Sequence, residues 1–406
     1  MRDVTIVGAG PVGLLLAGEL GRRGVDVELL ERRPAAGGGT RAIGIHSPVL
    51  TALEKPGVTD RLLAEAVRVR SGEARSRGRL LGTLHFDVLA RRFPFVATLP
   101  QAMTEAVLGS DAPEPLRGAR VLAVIPRPSG VVVRAGHLGR PIEFESRIVV
   151  VAGGAAGREL VYRDGALKVR GYPDRYLMTD AATPARADDE VAVIHLDPDG
   201  VLESFPLPGG RRRFVAWDPA GTVHGGAVGA DRPADTTNAA DAVDDGGRAT
   251  DAADARAGRL REALARRGEE HAAAAVTEAT SFGVRRVIAP RLRNGRVFAI
   301  GDTAHEVSPI GGQGMNLGLL DAVTLAPLLA DWVRTGAPPE RELRSWEERR
   351  LRSARRAAAL ASLNTGLGRP LGRSDALRRT AVRAALSTTA VRTLARAYSM
   401  GFDADA

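Results

Sequence analysis

The sequence predicts an α/β protein: a doubly wound, Rossmann-type dinucleotide-binding domain interleaved with an antiparallel-sheet domain and followed by C-terminal helices. Three observations carry that expectation. Gly8-Ala9-Gly10-Pro11-Val12-Gly13 is a G-x-G-x-x-G turn set between an apolar run and a helical pattern. Between Arg175 and Trp217 several short β-rich runs are separated by turn residues. Residues 340–400 read as arginine-rich amphipathic helices. A chain of 406 residues also exceeds what one hydrophobic core usually serves, so two structural units are expected.

Taken in order, Val4–Val7 is a strand, and Leu14, Leu15, Leu16, Ala17 and Leu20 follow the turn at helical spacing. Gly24 stops that helix, and Val25–Leu30 forms a second strand ending at Glu31, which completes a βαβ unit. Ala119–Ile125, Val131–Ala135 and Arg147–Ala152 are short strands, as in a small antiparallel excursion inside an α/β domain. Ala192–Leu196, Leu202–Pro206 and Arg213–Trp217 are strands of the second sheet. From Ala220 to Ala257 the chain is mostly Ala, Asp, Gly and Thr, the composition of a mobile loop. Leu260–His271 reads as a helix, Val284–Ile288 and Arg296–Gly301 as strands, and Gly314–Val333 as a helix with an apolar face. The expected division is a discontinuous dinucleotide-binding domain (1–70, 100–165 and 281–335), a substrate domain (71–99 and 166–280) and C-terminal helices (336–406).

Composition narrows the function. No run approaches the roughly 20 uninterrupted apolar residues of a membrane span, so neither membrane insertion nor a secretory signal is expected, and the cytoplasm is the expected compartment. The chain has no cysteine, which excludes disulfides, thiolate metal sites and cysteine nucleophiles. The formal net charge of +9 comes almost wholly from arginine, because Lys55 and Lys168 are the only lysines. Those arginines are scattered and aromatic residues make up only 4%, so no nucleic-acid partner is expected. The histidines lack metal-ligand spacing, and the carboxylates of 231–254 lack the closing Glu of a calcium loop; no metal is expected.

The glycine turn has a mechanism. Gly8 permits the tight turn, Gly10 lets backbone approach a pyrophosphate, Gly13 lets helix pack on strand, and Pro11 and Val12 open the helix whose N–H groups face the anion. Glu31, with Arg32 beside it, follows at close to the ~20-residue spacing at which an acid meets the ribose hydroxyls. The turn by itself does not separate NAD from FAD.

A second segment does. Gly295-Arg296-Val297-Phe298-Ala299-Ile300-Gly301-Asp302-Thr303-Ala304-His305, then Ser308-Pro309-Ile310-Gly311-Gly312-Gln313-Gly314-Met315-Asn316-Leu317-Gly318 and Asp321-Ala322, resembles the second FAD signature of the class A flavin monooxygenases, the para-hydroxybenzoate hydroxylase and ubiquinone hydroxylase-like family. The resemblance runs from Val4 to about Gly401 and is weakest across residues 166–280. It implies that FAD is the cofactor, that Asp302 hydrogen-bonds the ribityl chain and that Pro309 lies near the reacting face of the flavin. It also implies that backbone N–H groups around Gly312, Gly314, Met315 and Asn316 face the ring's N1/O2 edge, a helix start that suits negative charge on reduced flavin. Arg41 matches the family arginine that contacts the FAD pyrophosphate, and Gln101 the glutamine near the ribityl chain. Phe205-Pro206-Leu207-Pro208-Gly209-Gly210 resembles the strand-turn that roofs the substrate cavity, and is equally an ordinary Pro-Gly turn.

The family activity implied is hydroxylation or epoxidation of an aromatic or polycyclic small molecule, such as a polyketide-type or quinone-like natural-product intermediate. O2 is activated as a C4a-hydroperoxyflavin and NAD(P)H is the reductant. One departure touches the reductant. Where the family has a segment close to G-A-D-G-x-x-S-x-V-R, this chain has Val151-Ala152-Gly153-Gly154-Ala155-Ala156-Gly157-Arg158-Glu159-Leu160, so Gly153 replaces the Asp, Gly157 the Ser and Leu160 the Arg. Either Arg158 or Arg163 takes over the anion contact, or direct reduction is weak and a separate flavin reductase or the substrate supplies the electrons. The alternatives in function are a flavin oxidase or dehydrogenase on the same scaffold, and a flavin-binding protein without turnover. His305 is expected to pack rather than act as a base, and His46 is a conceivable covalent flavin tether. No residue of the expected substrate sheet stands out as a catalytic acid or base.

Overall fold

The computed structural model describes residues 1–37, 42–89, 92–184, 189–220, 246–387, 390–400, 403 and 405. Within them the chain forms two large sheets, a small three-stranded one, and helices that cover them.

The first sheet runs Arg293–Asn294, Val297–Ala299, Arg140–Val151, Arg2–Val7, Val27–Glu31, Leu116–Arg117. Its central pairs are parallel: Val7 lies opposite Val151 and Leu30, and Val151 opposite Ala299. Parallel strands are covered on both faces, which is why Val4, Ile6, Ile148, Val149 and Val150 are all fully buried instead of alternating. Helices Pro11–Gly21 and Gly314–Thr335 pack together on one face. A hairpin extension, Arg120–Pro126 with Val131–His137, leaves the long strand Arg140–Val151 antiparallel, as the expected excursion required.

The second sheet runs His305–Glu306, Thr280–Ile288, Arg170–Ala182, Arg211–Trp217, Gly200–Leu207, Val191–Asp197, Ser71–Ser76, Arg79–His85. It is antiparallel except where Val191–Asp197 meets Ser71–Ser76. Alternation gives it two distinct faces. Leu177, Leu202, Phe214 and Ala216 pack under helices Gly246–Ala265 and Glu270–Ala275, while Tyr176, Met178, Val201 and Val215 form the opposite face with Ile310. Gly44–Ile45, Val96–Thr98 and Val67–Val69 make the small sheet. Helices Glu340–Leu367, Asp375–Ser387 and Ala390–Tyr398 complete the chain.

Four expectations need correction. Thr280–Ile288 joins the second sheet, not the dinucleotide-binding domain begun at residue 281: it pairs antiparallel with Arg170–Ala182, and Phe282 stacks on Tyr176 opposite it with ring centroids 5.7 Å apart. Val96–Thr98 belongs to the small sheet although 71–99 was assigned to the substrate domain. The loop expected over 220–257 lies partly outside the described residues, but from Gly246 the chain is helical, since alanine and arginine favour helix over coil. The helix expected over Leu260–His271 is interrupted: it ends at Ala265, Gly268 takes a left-handed φ of 78°, and a new helix starts at Glu270. Gly314–Thr335 is long and apolar enough to cross a membrane, yet 61% of its apolar window is buried inside the protein.

Candidate active site

The glycine turn is sterically determined. Gly8 has φ +109°, and a Cβ there would lie 2.6 Å from the Ala152 carbonyl oxygen; one at Gly13 would lie 1.9 Å from the Gly8 carbonyl oxygen. Gly10 is different, because a Cβ there would meet nothing within 4 Å and the residue faces open cavity. The helix begins at Pro11 in its first turn, so its unpaired N–H groups point at that same space. Backbone close-packed behind and bare in front is a cradle that a pyrophosphate fits.

Glu31 closes the next strand, 5% exposed. Its carboxylate accepts the Ala9 N–H at 2.8 Å, the Arg33 N–H at 2.8 Å and Arg33 Nε at 3.0 Å. Burial pushes this acid up, but those donors outweigh burial and hold its carboxyl below the usual range. The acid therefore fastens the turn to the end of the second strand. Arg32 is exposed and lines the cavity; it is Arg33 that engages Glu31 and reaches to 3.9 Å of Glu105. Arg33 escaped the sequence reading, although its place two residues after the acid was a signal. Gln101, at the start of helix Gln101–Gly109, donates to Glu105 at 2.9 Å and accepts the Ala42 N–H at 3.4 Å. Arg41 lies outside the described residues.

The second motif is pinned by side chains. Gly301 has φ +60° and donates its N–H to Asp321 at 3.0 Å. Asp321 also accepts His305 Nε2 at 2.6 Å and Arg350 Nε at 2.8 Å, all three groups being fully buried. Arg350 continues to Asp403 at 2.8 Å, Asp405 at 3.0 Å and the Leu317 carbonyl at 3.0 Å. Burial alone would raise Asp321, but His305 and Arg350 pull it below its ordinary value; burial would lower His305, and the Asp321 carboxylate raises it. His305 is thus a packed member of this network and has no place on the cavity wall.

Asn316 is also structural in its side chain: Oδ1 accepts the His46 N–H at 2.8 Å, and Nδ2 donates to Gly44 at 2.8 Å and Gly312 at 3.1 Å. The left-handed Gly311 and Gly312 bring the chain to the helix start at Gly314. His46 is buried beside Gly312 and pushed down to about 4 by burial, so its imidazole is neutral.

A cavity of about 3220 Å³ joins these parts. Gly8, Gly10, Pro11, Val12, Glu31, Arg32, Gln101, Gly301, Asp302, Pro309, Gly312, Gly314 and Met315 line it; Gly13 and Asn316 stand behind the wall. Its far side is the second sheet's free face, including Met178, Val201, Phe205 and Val215. Drug-sized ligands fill roughly 300–1,000 Å³. The space therefore exceeds what one such ligand needs.

The central segment also reaches the cavity. Gly153 lines it, and a Cβ at Gly157 would lie 3.0 Å from Thr303 Oγ1 and 2.9 Å from Val151 Cγ1, so loss of the family serine goes with tighter packing on the second motif. Arg158 Nη2 donates to the Asp302 carbonyl and to Glu306, both at 2.8 Å, whereas Arg163 is exposed.

Comparison with known proteins agrees with this architecture. The structure of p-nitrophenol 4-monooxygenase from Pseudomonas putida superposes with a TM-score of 0.79 over 99% of this chain and 97% of that one, at 22% identity, and shares the fold. The 6-methylpretetramide 4-monooxygenase of Streptomyces rimosus is 33% identical over 388 residues, 90% of this chain and 63% of that protein. The dialkyldecalin synthase of Streptomyces rugosporus is 29% identical over 391 residues, 92% and 75% of the two chains. The chain thus spans less than two thirds of the length of the first of these curated relatives. The family of FAD binding domains matches residues 1–158 and 234–361, the two stretches that carry the glycine turn and the Gly301–Asn316 loop. On that match and the fit of the cradle, the chain belongs to the FAD-binding-domain family of the class A flavin monooxygenases, with FAD as its cofactor.

Proposed function

We propose that the protein is an FAD-dependent monooxygenase that hydroxylates or epoxidises an aromatic or polycyclic small molecule, in the manner of a natural-product tailoring enzyme. The observation that carries this reading is the continuous cavity running from the FAD cradle to an apolar sheet face, with room for a ring-shaped substrate beside the cofactor motif. Monooxygenases among the relatives support the same reaction class. Bound FAD, once reduced, supplies the oxygen-transfer chemistry. The chain's own contribution is to hold the cofactor through the turn at Gly8–Gly13, Glu31, Gln101, Asp302 and the helix start at Gly314–Asn316, and to keep water from the sheet face that places the substrate. NAD(P)H is the proposed reductant, with O2 as co-substrate and the cytoplasm as the compartment.

Incubation with isotopically labelled O2 and a panel of phenolic and quinone substrates tests the reaction: label enters the organic product. Label found only in peroxide would indicate an oxidase. The source of electrons is a separate question posed by Gly153 and by Arg158, whose guanidinium is engaged by Asp302 and Glu306. Rapid mixing with NADPH and substrate bleaches the flavin if reduction is direct; no bleaching points to a separate flavin reductase.

A second reading is a flavin-binding protein that transforms its ligand without oxygen transfer. Gly153 in place of the family acid and the similarity to a synthase over most of both chains favour it.

A further inference from the structure

Glu203 stands in the middle of strand Gly200–Leu207, with Ile194 opposite it on one neighbouring strand and Val215 on the other. Alternation turns it, together with Val201 and Phe205, onto the sheet face that lines the cavity. The residue is 5% exposed, and among the described residues its carboxyl has no hydrogen-bond or ion-pair partner. Buried polar groups are ordinarily paired, so a bare carboxyl aimed into a ligand cavity marks the place where a ligand completes the pairing.

The ionisable groups around it do not neutralise it. Tyr176, from strand Arg170–Ala182, and Tyr398, from the last helix, are raised chiefly by burial, Tyr398 to about 12, and both are near enough for the charge of Glu203 to add to that. Arg213 shares the cavity face diagonally across from Glu203, but its guanidinium is bonded to both oxygens of Asp180 at 2.6 and 2.7 Å. With no cation among the described residues to hold the anion, burial pushes Glu203 up to about 8, so its acid form prevails at neutral pH. In that form a carboxyl is a donor as well as an acceptor.

The same chamber adjoins the second FAD motif. Tyr398 Oη reaches Asn364 Oδ1 at 3.4 Å, and Asn364 Nδ2 stands 2.9 Å from where a Cβ of Gly311 would lie. A ligand held at Glu203 is therefore in the compartment that the Gly311–Gly312 loop walls.

We propose that Glu203 is the polar anchor of the substrate chamber, donating a hydrogen bond from its carboxylic acid to a keto or quinone oxygen, so that the chamber selects oxygenated rings over ring carboxylates. This rests on reading the cavity's sheet side as the substrate site. A ring carboxylate would have to shed its water in an apolar bed where Arg213 is already bonded to Asp180, and a bare hydrocarbon would leave the acid unpaired.

Menadione is a suitable probe, since it is a quinone with no titratable group and the chain has no cysteine thiol to add to it. Its binding to the oxidised, FAD-loaded protein is followed by perturbation of the flavin absorbance between pH 6 and pH 9, beside naphthoate. The wild type is expected to bind menadione at constant affinity up to about pH 8 and to weaken about tenfold per pH unit in the limit above it, as the donor is lost. Glu203→Gln keeps a donor and is expected to bind within about threefold of the wild type with a flat pH profile; Glu203→Leu, which suits the apolar bed and folds, is expected to bind at least about tenfold more weakly. Wild-type affinity in both variants, a flat wild-type profile, or preference for naphthoate would overturn the proposal. No turnover is involved, so failure of the monooxygenase reading shows separately, as absence of label in product.

Discussion

At the first glycine turn the backbone does the fixing, with Gly13 packed so closely under Gly8 that no side chain fits between them, whereas the Gly301–Asn316 loop is pinned by side chains that arrive from distant parts of the chain. The first is local: strand, turn, helix and Glu31 lie within the opening βαβ unit. The second depends on Asp321 and His305 nearby but also on Arg350, Asp403 and Asp405. Steric fixing is indifferent to pH and intolerant of a methyl group. Fixing by buried charge depends on pH.

The largest effect expected is that of Arg350→Met. It leaves the buried Asp321 carboxylate with one cationic neighbour instead of two, and breaking a buried ion pair from one side costs about 3–5 kcal/mol. Urea unfolding measures it, and FAD is expected to dissociate along with the loss of order at Gly301. Stability equal to the wild type would show that the network is incidental to the loop. Next is Gly13→Ala, whose Cβ would sit against the Gly8 carbonyl. Overpacking of this kind costs ~1–3 kcal/mol, and the purified variant is expected to carry little FAD; the ratio of flavin to protein absorbance reads this directly. Full FAD content would break the steric side of the comparison.

The smallest effect sharpens the contrast in pH response. His305 is raised in the folded state, so its contribution is fully present below about pH 6.5 and is lost as pH rises through its folded value. Asp321 is lowered, so its contribution is present above about pH 4 and is lost as pH falls through its folded value. Glu31 at the first turn is also lowered and adds only to the acid side. His305→Gln is expected to remove the alkaline limb of the stability profile, read from urea unfolding between pH 6 and pH 9, and to keep the acid limb. An unchanged alkaline limb would place that titration elsewhere.

What the sequence made legible follows the same divide. The opening βαβ unit, its glycines and Glu31 were readable because their geometry is set by neighbours in sequence. The strands on either side of the turn at Pro208–Gly210 were readable for the same reason. The long strand Arg170–Ala182 was not, because its mixed Arg, Tyr and Asp residues acquire meaning only against Arg211–Trp217 and Thr280–Ile288. Arg350 reads in sequence as one more arginine of a solvated helix, and nothing local distinguishes it from exposed Arg355 and Arg356. Glu203 is hidden likewise, since its significance lies in the absence of a partner, which only the packed sheet displays. Val284–Ile288 is legible as a strand, but its sheet is not, because its partner Arg170–Ala182 is distant in sequence.

The order of strands in the first sheet has a consequence for biogenesis. Arg2–Val7 is held between Val27–Glu31 and Arg140–Val151, and the latter is completed only by Val297–Ala299. The segment with the most recognisable cofactor motif is therefore synthesised well before its last structural neighbours and finds them late. In that interval the apolar edge at Val149–Val151 lacks the strand that covers it, and sheets built from such distant pairings close slowly. The nascent chain is exposed to premature association until Ala299 has been synthesised.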